Sequence, residues 1–430
     1  MLLESNQEMI DDKGMKKTLC YWLTFIFPFS LIALDIRIET PYAVLMDAES
    51  GKVLYAKNPY AKISPCSTMK IATILYVLEN KMENLDEEVT VVSEALKRTN
   101  EEEKRSKNYT IPAHYLETDG TMVYLRNNER LSLRSLIYAS MLRSANDACN
   151  VLAIHLSGEV ETFCNDLNEW LKTKGIGSTH FVNPHGLYHP DHYSCAYDMA
   201  LIGRAAYNNH AFMEIALERD YAKPRTNLQK EEFWKTNSCI LKESNPLYYP
   251  KALFAKTGQL KMGKSNLVAA ATNGERTLIV ALHKSPTWKQ RYIDAIQMFE
   301  AAFQEEKSTR LLFSKSETRF TREIPKSKNP LTAVLKQDVI LEYFPSQEPV
   351  VKAELEWNES LALPIKKGDR VGEIVVIDEG GKRLLTSPLF AKDRLSKTHF
   401  VRPRIAVMAL FGLLVIGAFS LRLNSKKSKQ

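Results

Sequence analysis

Three short motifs occur in one order along the 430-residue chain and constrain its fold more than any other feature of the sequence. They are Ser67-Thr68-Met69-Lys70, Ser144-Ala145-Asn146 and Lys256-Thr257-Gly258. Each motif is short enough to occur by chance, so the specificity comes from their order and their surroundings. A serine, a lysine base and a second hydroxyl can cleave an amide through a serine ester without histidine. The sequence therefore predicts a fold that brings three distant segments into one cleft.

The first motif opens a segment that is predicted to be a buried helix. Pro65 fits a first helical turn, and residues 71–78 are apolar on most faces. Ser67 and Lys70 are three positions apart and therefore lie on one helix face. A serine nucleophile needs a base, and a lysine is one only if its pKa is lowered, which we attribute to burial beside the charge of Lys256. The alternative is a surface serine with a solvated lysine.

The second motif lies between two helical patterns, in residues 131–142 and 148–154. Ser132 is predicted to be the N-cap of the first helix. A loop between two helices suits a site built on rigid elements. There Ser144 would pass a proton to the leaving amine, and Asn146 would hold a substrate amide. The alternative for this motif is a simple helix cap.

The third motif ends the apolar run Ala252-Leu253-Phe254-Ala255, which predicts a strand. Gly258 indicates that another backbone approaches this strand closely. A peptide substrate would add to it as a further strand. Lys256 and Thr257 would then meet the carboxylate of that peptide. The alternative is an ordinary strand end.

The segments around the motifs predict an α+β fold, in which helices flank an antiparallel sheet. Hairpins are predicted around Glu49-Ser50-Gly51 and around Asn273-Gly274, and a helix over 288–303. Strands at both ends with helices between them place residues 41–305 in one catalytic domain. Short strands over 338–343, 361–365 and 373–377 predict a small β domain at residues 308–395.

These motifs resemble those of the low-molecular-mass penicillin-binding proteins, the serine-type D-alanyl-D-alanine carboxypeptidases. The resemblance extends from about Pro41 to about Ala391. Ser144 to Ala148 resembles the family's S-[GA]-N-D-A, and Lys367 to Gly372 resembles its C-terminal domain. Further matches are Phe181-Val182-Asn183-Pro184-His185-Gly186-Leu187, His192-Tyr193-Ser194, Asp198-Met199-Ala200 and Lys235-Thr236-Asn237.

The resemblance implies the penicillin-recognising serine transpeptidase/β-lactamase-like fold and removal of the terminal D-Ala from peptidoglycan pentapeptides that end in D-Ala-D-Ala. β-Lactam antibiotics would acylate the same site. The family's roles carry over to these positions: Ser67, Lys70 and Ser144 for catalysis, and Asn146, Lys256, Thr257, Gly258, Gln259 and Arg291 for substrate binding. The backbone N–H groups of Ser67 and Gln259 would form the oxyanion hole. No metal or cofactor is expected.

Three other functions are alternatives to the carboxypeptidase; two of them use the same catalytic residues and one needs no catalysis. A D,D-endopeptidase or a β-lactamase would share the machinery, and a membrane-bound scaffold would hold peptidoglycan without cutting it. The complete motif set argues against the scaffold. Several positions depart from the family pattern; among them, Cys66 stands where alanine is usual, and Glu94 to Thr118 is longer and more charged than usual.

Two tempting patterns are interpreted as structural. Glu161 and Asn165 mimic the E-x-x-x-N of class A β-lactamases, but the apolar spacing predicts an exposed helix face there. His180, His185, His189 and His192 cluster without any H-E-x-x-H helix, so we expect structural histidines rather than a zinc site.

Charge and hydropathy at the two ends predict export and anchoring. The net charge is +7, but residues 402–430 hold six basic and no acidic residues, so nothing indicates nucleic-acid binding. Residues 15–34 resemble an export segment. Residues 405–421 are apolar except Ser420 and predict one membrane span with its C-terminus inside. We therefore expect a single-pass protein of the bacterial inner membrane, in contact with the lipid bilayer, with its catalytic domain in the periplasm. Six cysteines give no assignable disulfides.

Overall fold

The computed structural model describes residues 25–26, 34–259 and 264–397. These residues belong to two compact units. The larger is drawn from residues 34–310 and 342–350, and the smaller from residues 25–26, 311–341 and 351–397. The predicted export segment lies largely outside the described residues, and the predicted anchor at 405–421 lies wholly outside them. In the part of the chain that is described, no helix combines the length and the apolar character needed to cross a membrane.

The α-helices described all belong to the larger unit. They are α1 Lys70–Lys81, α2 Glu101–Ser106, α3 Leu133–Leu142, α4 Asn146–Ser157, α5 Val160–Thr173, α6 Ala196–Tyr207, α7 His210–Leu217 and α8 Gln290–Phe303. A short 3-10 helix, Cys66–Met69, leads directly into α1. The predicted cap of α3 is confirmed, because the Ser132 side chain accepts a hydrogen bond from the Ser135 N–H.

The strands are short in both units. They are β1 Phe25–Ile26, β2 Tyr42–Asp47, β3 Val53–Lys57, β4 Glu88–Thr90, β5 Arg98–Thr99, β6 Leu116–Glu117, β7 Arg130–Ser132, β8 Asp220–Lys223, β9 Glu232–Lys235, β10 Ala252–Gln259, β11 Ser265–Thr272, β12 Thr277–Ser285, β13 Ser308–Phe313, β14 Arg319–Arg322, β15 Leu331–Val334, β16 Val339–Tyr343, β17 Val351–Trp357, β18 Arg370–Asp378 and β19 Arg383–Ala391.

The larger unit is built on a five-stranded antiparallel sheet with the order β10-β11-β12-β2-β3. The two predicted hairpins, β2–β3 and β11–β12, are confirmed. They join edge to edge because β2 pairs with β12, with Val44 opposite Ala281. The two ends of the predicted catalytic domain therefore meet in one sheet, and β10, which carries the third motif, forms an edge.

Both faces of this sheet are covered, which its side-chain pattern requires. Val44 and Met46 belong to an apolar cluster with α1, α3, α4 and α6. Ala43 and Leu45, which point to the opposite face, belong to a second cluster with Phe299 of α8. Helix α1 lies inside the first cluster and is buried over most of its length, as its apolar sequence predicts. The predicted α+β class is confirmed.

The smaller unit contains a six-stranded sheet with the order β1-β17-β18-β19-β15-β14. In its central hairpin, β17 pairs antiparallel with β18, so that Ala353 lies opposite Val376. The strand predicted over 361–365 is wrong: within that range only Ile365 forms a bridge, to Leu395. Pro364 has no N–H to donate to a ladder, which is why apolar character alone misleads there.

Candidate active site

Ser67 sits in the 3-10 turn before α1, where its hydroxyl meets the first residue of that helix. The Lys70 Nζ donates a hydrogen bond of 2.9 Å to the Ser67 Oγ. Residue 66, just before the serine, has a positive φ of 51°, which is an unusual backbone conformation for a residue with a side chain. The tight turn thus aims the serine at a lysine three positions later, as the helical spacing predicts.

Lys70 is completely buried and makes three hydrogen bonds to neutral acceptors. Besides the Ser67 Oγ, its Nζ donates to the Asn146 Oδ1 at 2.7 Å and to the His185 carbonyl at 2.6 Å. Burial lowers the pKa of Lys70 to about 8, and the nearby acid groups of Cys149, Cys66 and Asp147 oppose that shift. We predicted burial beside the charge of Lys256 as the cause: burial is the largest cause, whereas the repulsion between the two amines lowers the pKa of Lys256 instead.

Ser144 and Asn146 lie where α3 gives way to α4. Ser144 has a positive φ of 56° in the connection, and its Oγ accepts a hydrogen bond of 2.8 Å from the Lys256 Nζ. The sequence predicts Asn146 in the loop, but in the structure Asn146 is the first residue of α4 and is buried. The two ends of this motif therefore contact different lysines, and each serine of the cleft is hydrogen-bonded to one of them.

Lys256 is buried in strand β10, opposite Val268 of β11. Burial lowers the pKa of Lys256 well below its ordinary value, and the positive charge of Lys70 lowers it further. Burial and mutual repulsion disfavour protonation of both amines at the same time. Among the described residues neither amine is ion-paired with a carboxylate, so a bound anion would favour the charged form of these amines.

The rest of the third motif shapes the edge of the cleft. At Gly258 a Cβ atom would lie 3.0 Å from the Pro65 carbonyl and 3.1 Å from the Cys66 Cβ, so the predicted close backbone approach is the approach of the turn that carries Ser67. Thr257 is half-buried and Gln259 is exposed at the end of the strand. The motif thus combines a buried amine with an accessible strand end.

Arg291 is buried in the first turn of α8 and reaches the same strand. Its guanidinium donates to the Gly258 carbonyl at 3.2 Å and to the Tyr292 Oη at 3.2 Å. Its position beside the third motif follows from the packing of α8 on the sheet.

The Ser67 turn is supported by three residues to which the sequence analysis gave no such role. A Cβ at Gly186, where φ is 90°, would lie 2.1 Å from the Cys66 carbonyl oxygen, so the 186 backbone packs directly on that peptide. His185, next to it, gives its carbonyl to Lys70. The Asn266 Nδ2 donates to the Ser64 and Pro65 carbonyls, each at 2.9 Å. The matched stretch at 181–187 could have indicated the first two, whereas nothing in the sequence signals Asn266.

Neither of the two discounted patterns supplies a side chain for the chemistry proposed from the motifs, although the His185 carbonyl contacts Lys70. Glu161 and Asn165 are exposed on α5, as the apolar spacing predicts. His185 and His192 are buried, and burial lowers the pKa of His192 to about 3, so it is neutral at physiological pH. Within residues 34–259 and 264–397, no cluster of His, Cys, Asp and Glu side chains has the arrangement of a metal site.

Comparison with known families agrees with this geometry. A family model described as D-alanyl-D-alanine carboxypeptidase matches residues 31–286, which is more than half of the chain. The chain belongs to this family. A second model, described as the C-terminal domain of penicillin-binding protein 5, matches residues 308–397. The family, the fold and the enzyme class that the motifs predict are confirmed: the protein is a serine peptidase of the D-alanyl-D-alanine carboxypeptidase family.

Individual relatives align along most of their length. The chain is 28% identical over 370 residues to the D-alanyl-D-alanine carboxypeptidase DacF of Bacillus subtilis, covering 85% of this chain and 88% of that one. It is 28% identical to DacA of Haemophilus influenzae, covering 79% and 81%. The crystal structure of penicillin binding protein 5 from Haemophilus influenzae has a similar fold, with a TM-score of 0.55, 24% identity and coverage of 84% and 98%.

Proposed function

We propose that this protein removes the terminal D-Ala from peptidoglycan pentapeptides through an ester on Ser67, with Lys70 as the base. The observation that carries the proposal is the 2.9 Å hydrogen bond between the Lys70 Nζ and the Ser67 Oγ, made by a buried amine with a lowered pKa. An amine with a pKa of about 8 is neutral often enough near neutral pH to accept the serine proton.

The chemical steps follow from the order of groups in the cleft. Neutral Lys70 takes the Ser67 proton while the oxygen attacks the carbonyl of the penultimate D-Ala. The backbone N–H groups of Ser67 and Gln259 stabilise the negative oxygen that develops. Ser144 relays the proton that Lys70 accepted to the departing D-Ala amine as the C–N bond breaks, which leaves Lys70 neutral again. Water then attacks the ester, the acyl–oxygen bond to Ser67 breaks, and a proton from that water returns to the Ser67 oxygen. The Ser144 Oγ is oriented for the transfer to the amine by the Lys256 Nζ at 2.8 Å.

We expect the C-terminal carboxylate of the substrate to be the anion that binds beside the buried amines. Lys256, Thr257 and Arg291 would bind it, beside the exposed edge of β10 and Gly258. An anion at this place raises the pKa of Lys256, so that Lys256 keeps its proton. The charge fixed there then disfavours a second proton on Lys70. Binding of the carboxylate would therefore prepare the base, which favours substrates with a free C-terminus over internal amides.

Asn146 has a separate role in this scheme because its two amide atoms face different partners. Its Oδ1 accepts a hydrogen bond from Lys70 at 2.7 Å. Its Nδ2 remains suited to donate to a carbonyl of the bound peptide, which would align the penultimate residue with Ser67.

Mass spectrometry tests the proposal directly. The purified protein is incubated separately with a penicillin and with a pentapeptide ending in D-Ala-D-Ala. We expect a stable penicilloyl adduct that tryptic mapping places on Ser67, and loss of one alanine from the pentapeptide. Ser67→Ala is the control and should give neither product. An adduct on another residue of active enzyme would refute the assignment.

The enzymatic alternatives differ in substrate rather than machinery. A D,D-endopeptidase cleaves a cross-linked dimer faster than the pentapeptide, and a β-lactamase releases hydrolysed penicillin with rapid turnover. Comparing turnover of the three substrates separates them. We expect the pentapeptide to be the best substrate, because its C-terminal carboxylate can bind Lys256 and its leaving group departs, whereas the leaving group of a penicillin stays tethered and hinders the water that hydrolyses the ester. A protein that binds peptidoglycan but turns over none of the three would be the scaffold.

For localisation, we propose that residues 405–421 anchor the enzyme in the inner membrane, with the catalytic domain in the periplasm. The support is their apolar sequence between Arg404 and Arg422. Truncation after Lys397 should then release an active enzyme from membranes under carbonate wash. A truncated protein that stays with the membrane would instead assign the anchor to residues 19–34. The β-rich unit, which lies between the catalytic domain and the anchor in sequence, would serve as a spacer.

A further inference from the structure

The charged stretch between the first two motifs contains a buried ion pair. Lys104 of α2 and Glu117 of β6 lie 3.3 Å apart, and their side chains are only 2% and 8% exposed. The Lys104 Nζ also donates to the Tyr115 carbonyl at 2.9 Å. Strand β5 pairs with β6, so that Arg98 lies opposite Leu116. These contacts close residues 94–121 into one compact piece, which we call the bracing segment.

One side of the bracing segment holds the loop at His185. The His114 carbonyl accepts hydrogen bonds from the His185 Nε2 at 3.1 Å and from the Asn150 Nδ2 at 2.9 Å. The His185 Nδ1 accepts from the Leu187 N–H at 3.2 Å, so the ring proton must be on Nε2. The carbonyl of this same His185 accepts from Lys70 at 2.6 Å.

The other side of the bracing segment holds Asn146. The Thr121 carbonyl accepts from the Asn146 N–H at 2.9 Å. Gly120 forms a turn with Glu117, whose carbonyl accepts its N–H at 2.9 Å. This turn lies so close that a Cβ on Gly120 would be 3.0 Å from the Asn146 Nδ2. The Asn146 Oδ1 accepts from Lys70 at 2.7 Å.

We propose that the bracing segment positions the catalytic base, and that Lys104 and Glu117 are positioning residues that lock it closed. Two of the three hydrogen-bond acceptors of the Lys70 Nζ, on Asn146 and His185, are each tied to this segment, on opposite sides of its turn. The third acceptor is the nucleophile itself. This inference rests on the proposed role of Lys70 as the base, because only then does its exact placement control the rate.

A buried ion pair can hold the segment closed because the loss of either residue destabilises the burial of the other. Removal of one partner leaves an uncompensated charge in an apolar environment, so the segment opens to hydrate it. Replacement of both by apolar residues removes that charge and lets the segment close again. The pair therefore predicts a recovery that a residue acting only through bulk or surface charge does not show.

The experiment measures acylation of the full-length protein by a fluorescent penicillin, counted per titrated active site. It separates the initial binding constant from the rate constant of ester formation. The variants are Lys104→Met, Glu117→Leu and the double variant. We expect each single variant to lower the rate constant by about 10–100-fold, since small misplacements of reacting groups have effects of this size. The initial binding constant should change by less than about threefold, and the double variant should regain most of the rate.

A matched control lies on the same helix. Arg105 and Glu101 of α2 form an ion pair of 2.8 Å in which the arginine is largely exposed. Arg105→Met and Glu101→Leu should leave the rate constant within about threefold of the unchanged protein. Circular dichroism on every variant shows that the compared proteins are folded.

Three outcomes would overturn the inference: single variants that acylate at the unchanged rate, a double variant as slow as the singles, or a loss confined to the initial binding constant. If a single variant does not fold, the folded double variant still decides, because a rate constant reduced tenfold or more there contradicts the lock. A failure of the proposed function looks different, since the unchanged protein itself would then form no adduct on Ser67.

Discussion

The cleft and the bracing segment both bury lysine side chains, but they differ in whether the buried amine has an ion-pair partner. Lys104 of the segment is ion-paired with Glu117 at 3.3 Å. In the described part of the chain, Lys70 and Lys256 of the cleft form no ion pair and are hydrogen-bonded to hydroxyl, amide and carbonyl groups. Burial lowers the pKa of all three amines. Glu117 opposes that shift for Lys104 as its ion-pair partner, whereas Asp147 opposes it for Lys70 without forming an ion pair with that amine in the described part of the chain.

This difference distinguishes a lysine suited to a structural role from a lysine suited to act as a base. A paired ammonium keeps its proton and holds two segments together, whereas an unpaired buried amine gives its proton up readily and can act as a base. Under the proposed function, the ion pair would hold one region without substrate, whereas the substrate carboxylate would complete the other. The predictions below test whether the cleft and the segment differ in this way.

The largest effect is expected when the base is removed. Lys70→Ala should lower acylation by penicillin by about 10²–10⁴-fold, because general base catalysis contributes about that much. The measurement is the rate of adduct formation on Ser67 by mass spectrometry. Exposed Lys172, replaced by alanine, is the control and should leave the rate unchanged. Near-normal acylation by Lys70→Ala would assign the base to another group.

The second prediction concerns stability and compares the two lysines directly. Lys104→Met should lower the free energy of unfolding by about 3–5 kcal/mol, because it leaves Glu117 buried without a partner. Lys70→Met should change it by less than about 1 kcal/mol at pH 7, since an ammonium whose pKa is lowered by folding opposes folding below that pKa. Urea denaturation of both variants measures the difference. Equal losses would mean that the cleft lysine is as structural as the other.

The third prediction is the pH dependence of acylation. The base must be neutral, and the pKa of Lys70 in the free protein is about 8, so the second-order rate constant of acylation should fall about tenfold per pH unit below that value. Between pH 8 and pH 6 the expected loss is about 50-fold, from the fraction of neutral amine. A fluorescent penicillin in buffers from pH 6 to pH 9.5 gives the profile. A flat profile over this range would contradict the lowered pKa.

The smallest effect is expected at the carboxylate clamp. Lys256→Ala should leave the protein folded and weaken both initial binding and acylation, together by about tenfold, since a hydrogen bond to a charged group is worth about that. Comparing the kinetics of a pentapeptide with those of the same peptide amidated at its C-terminus tests whether Lys256 acts on the substrate carboxylate. The variant should lose its preference for the free carboxylate. A preserved preference would place the clamp on Arg291 and Thr257 alone.

Local patterns predict most of the fold. The hairpins at Gly51 and Asn273-Gly274, the cap at Ser132 and the buried helix after Ser67 are all confirmed, because short-range sequence controls turns, caps and helix faces. The strand predicted over 361–365 failed because a proline inside an apolar run removes a ladder donor. Of the anchor, the structure describes nothing, so it stays a prediction from sequence.

The site was harder to predict than the fold. The helical spacing of Ser67 and Lys70 is a local matter, and the structure brings them together. The sequence predicts that burial beside Lys256 lowers the pKa of Lys70. Burial is the largest cause, but the repulsion between the two amines lowers the pKa of Lys256 instead, because the depth and neighbours of a side chain depend on everything packed around it. The Asn266 amide that holds the Ser64 and Pro65 carbonyls lies about two hundred residues away in sequence, so no local pattern could indicate it.

The sequence by itself determined the chemistry of this protein: a serine, two lysines, a second serine and an asparagine, each with neighbours that imply a helix, a helix junction or a strand. Only the tertiary structure decided which lysine contacts which serine, and which buried lysine has a carboxylate. The physical reason is that motif residues are fixed by local backbone geometry, which neighbouring residues control, whereas the charge of a buried amine depends on solvent exclusion and on partners from distant segments. For Lys70 those partners are Asn146 and His185, whereas Lys104 finds its partner, Glu117, within the bracing segment itself.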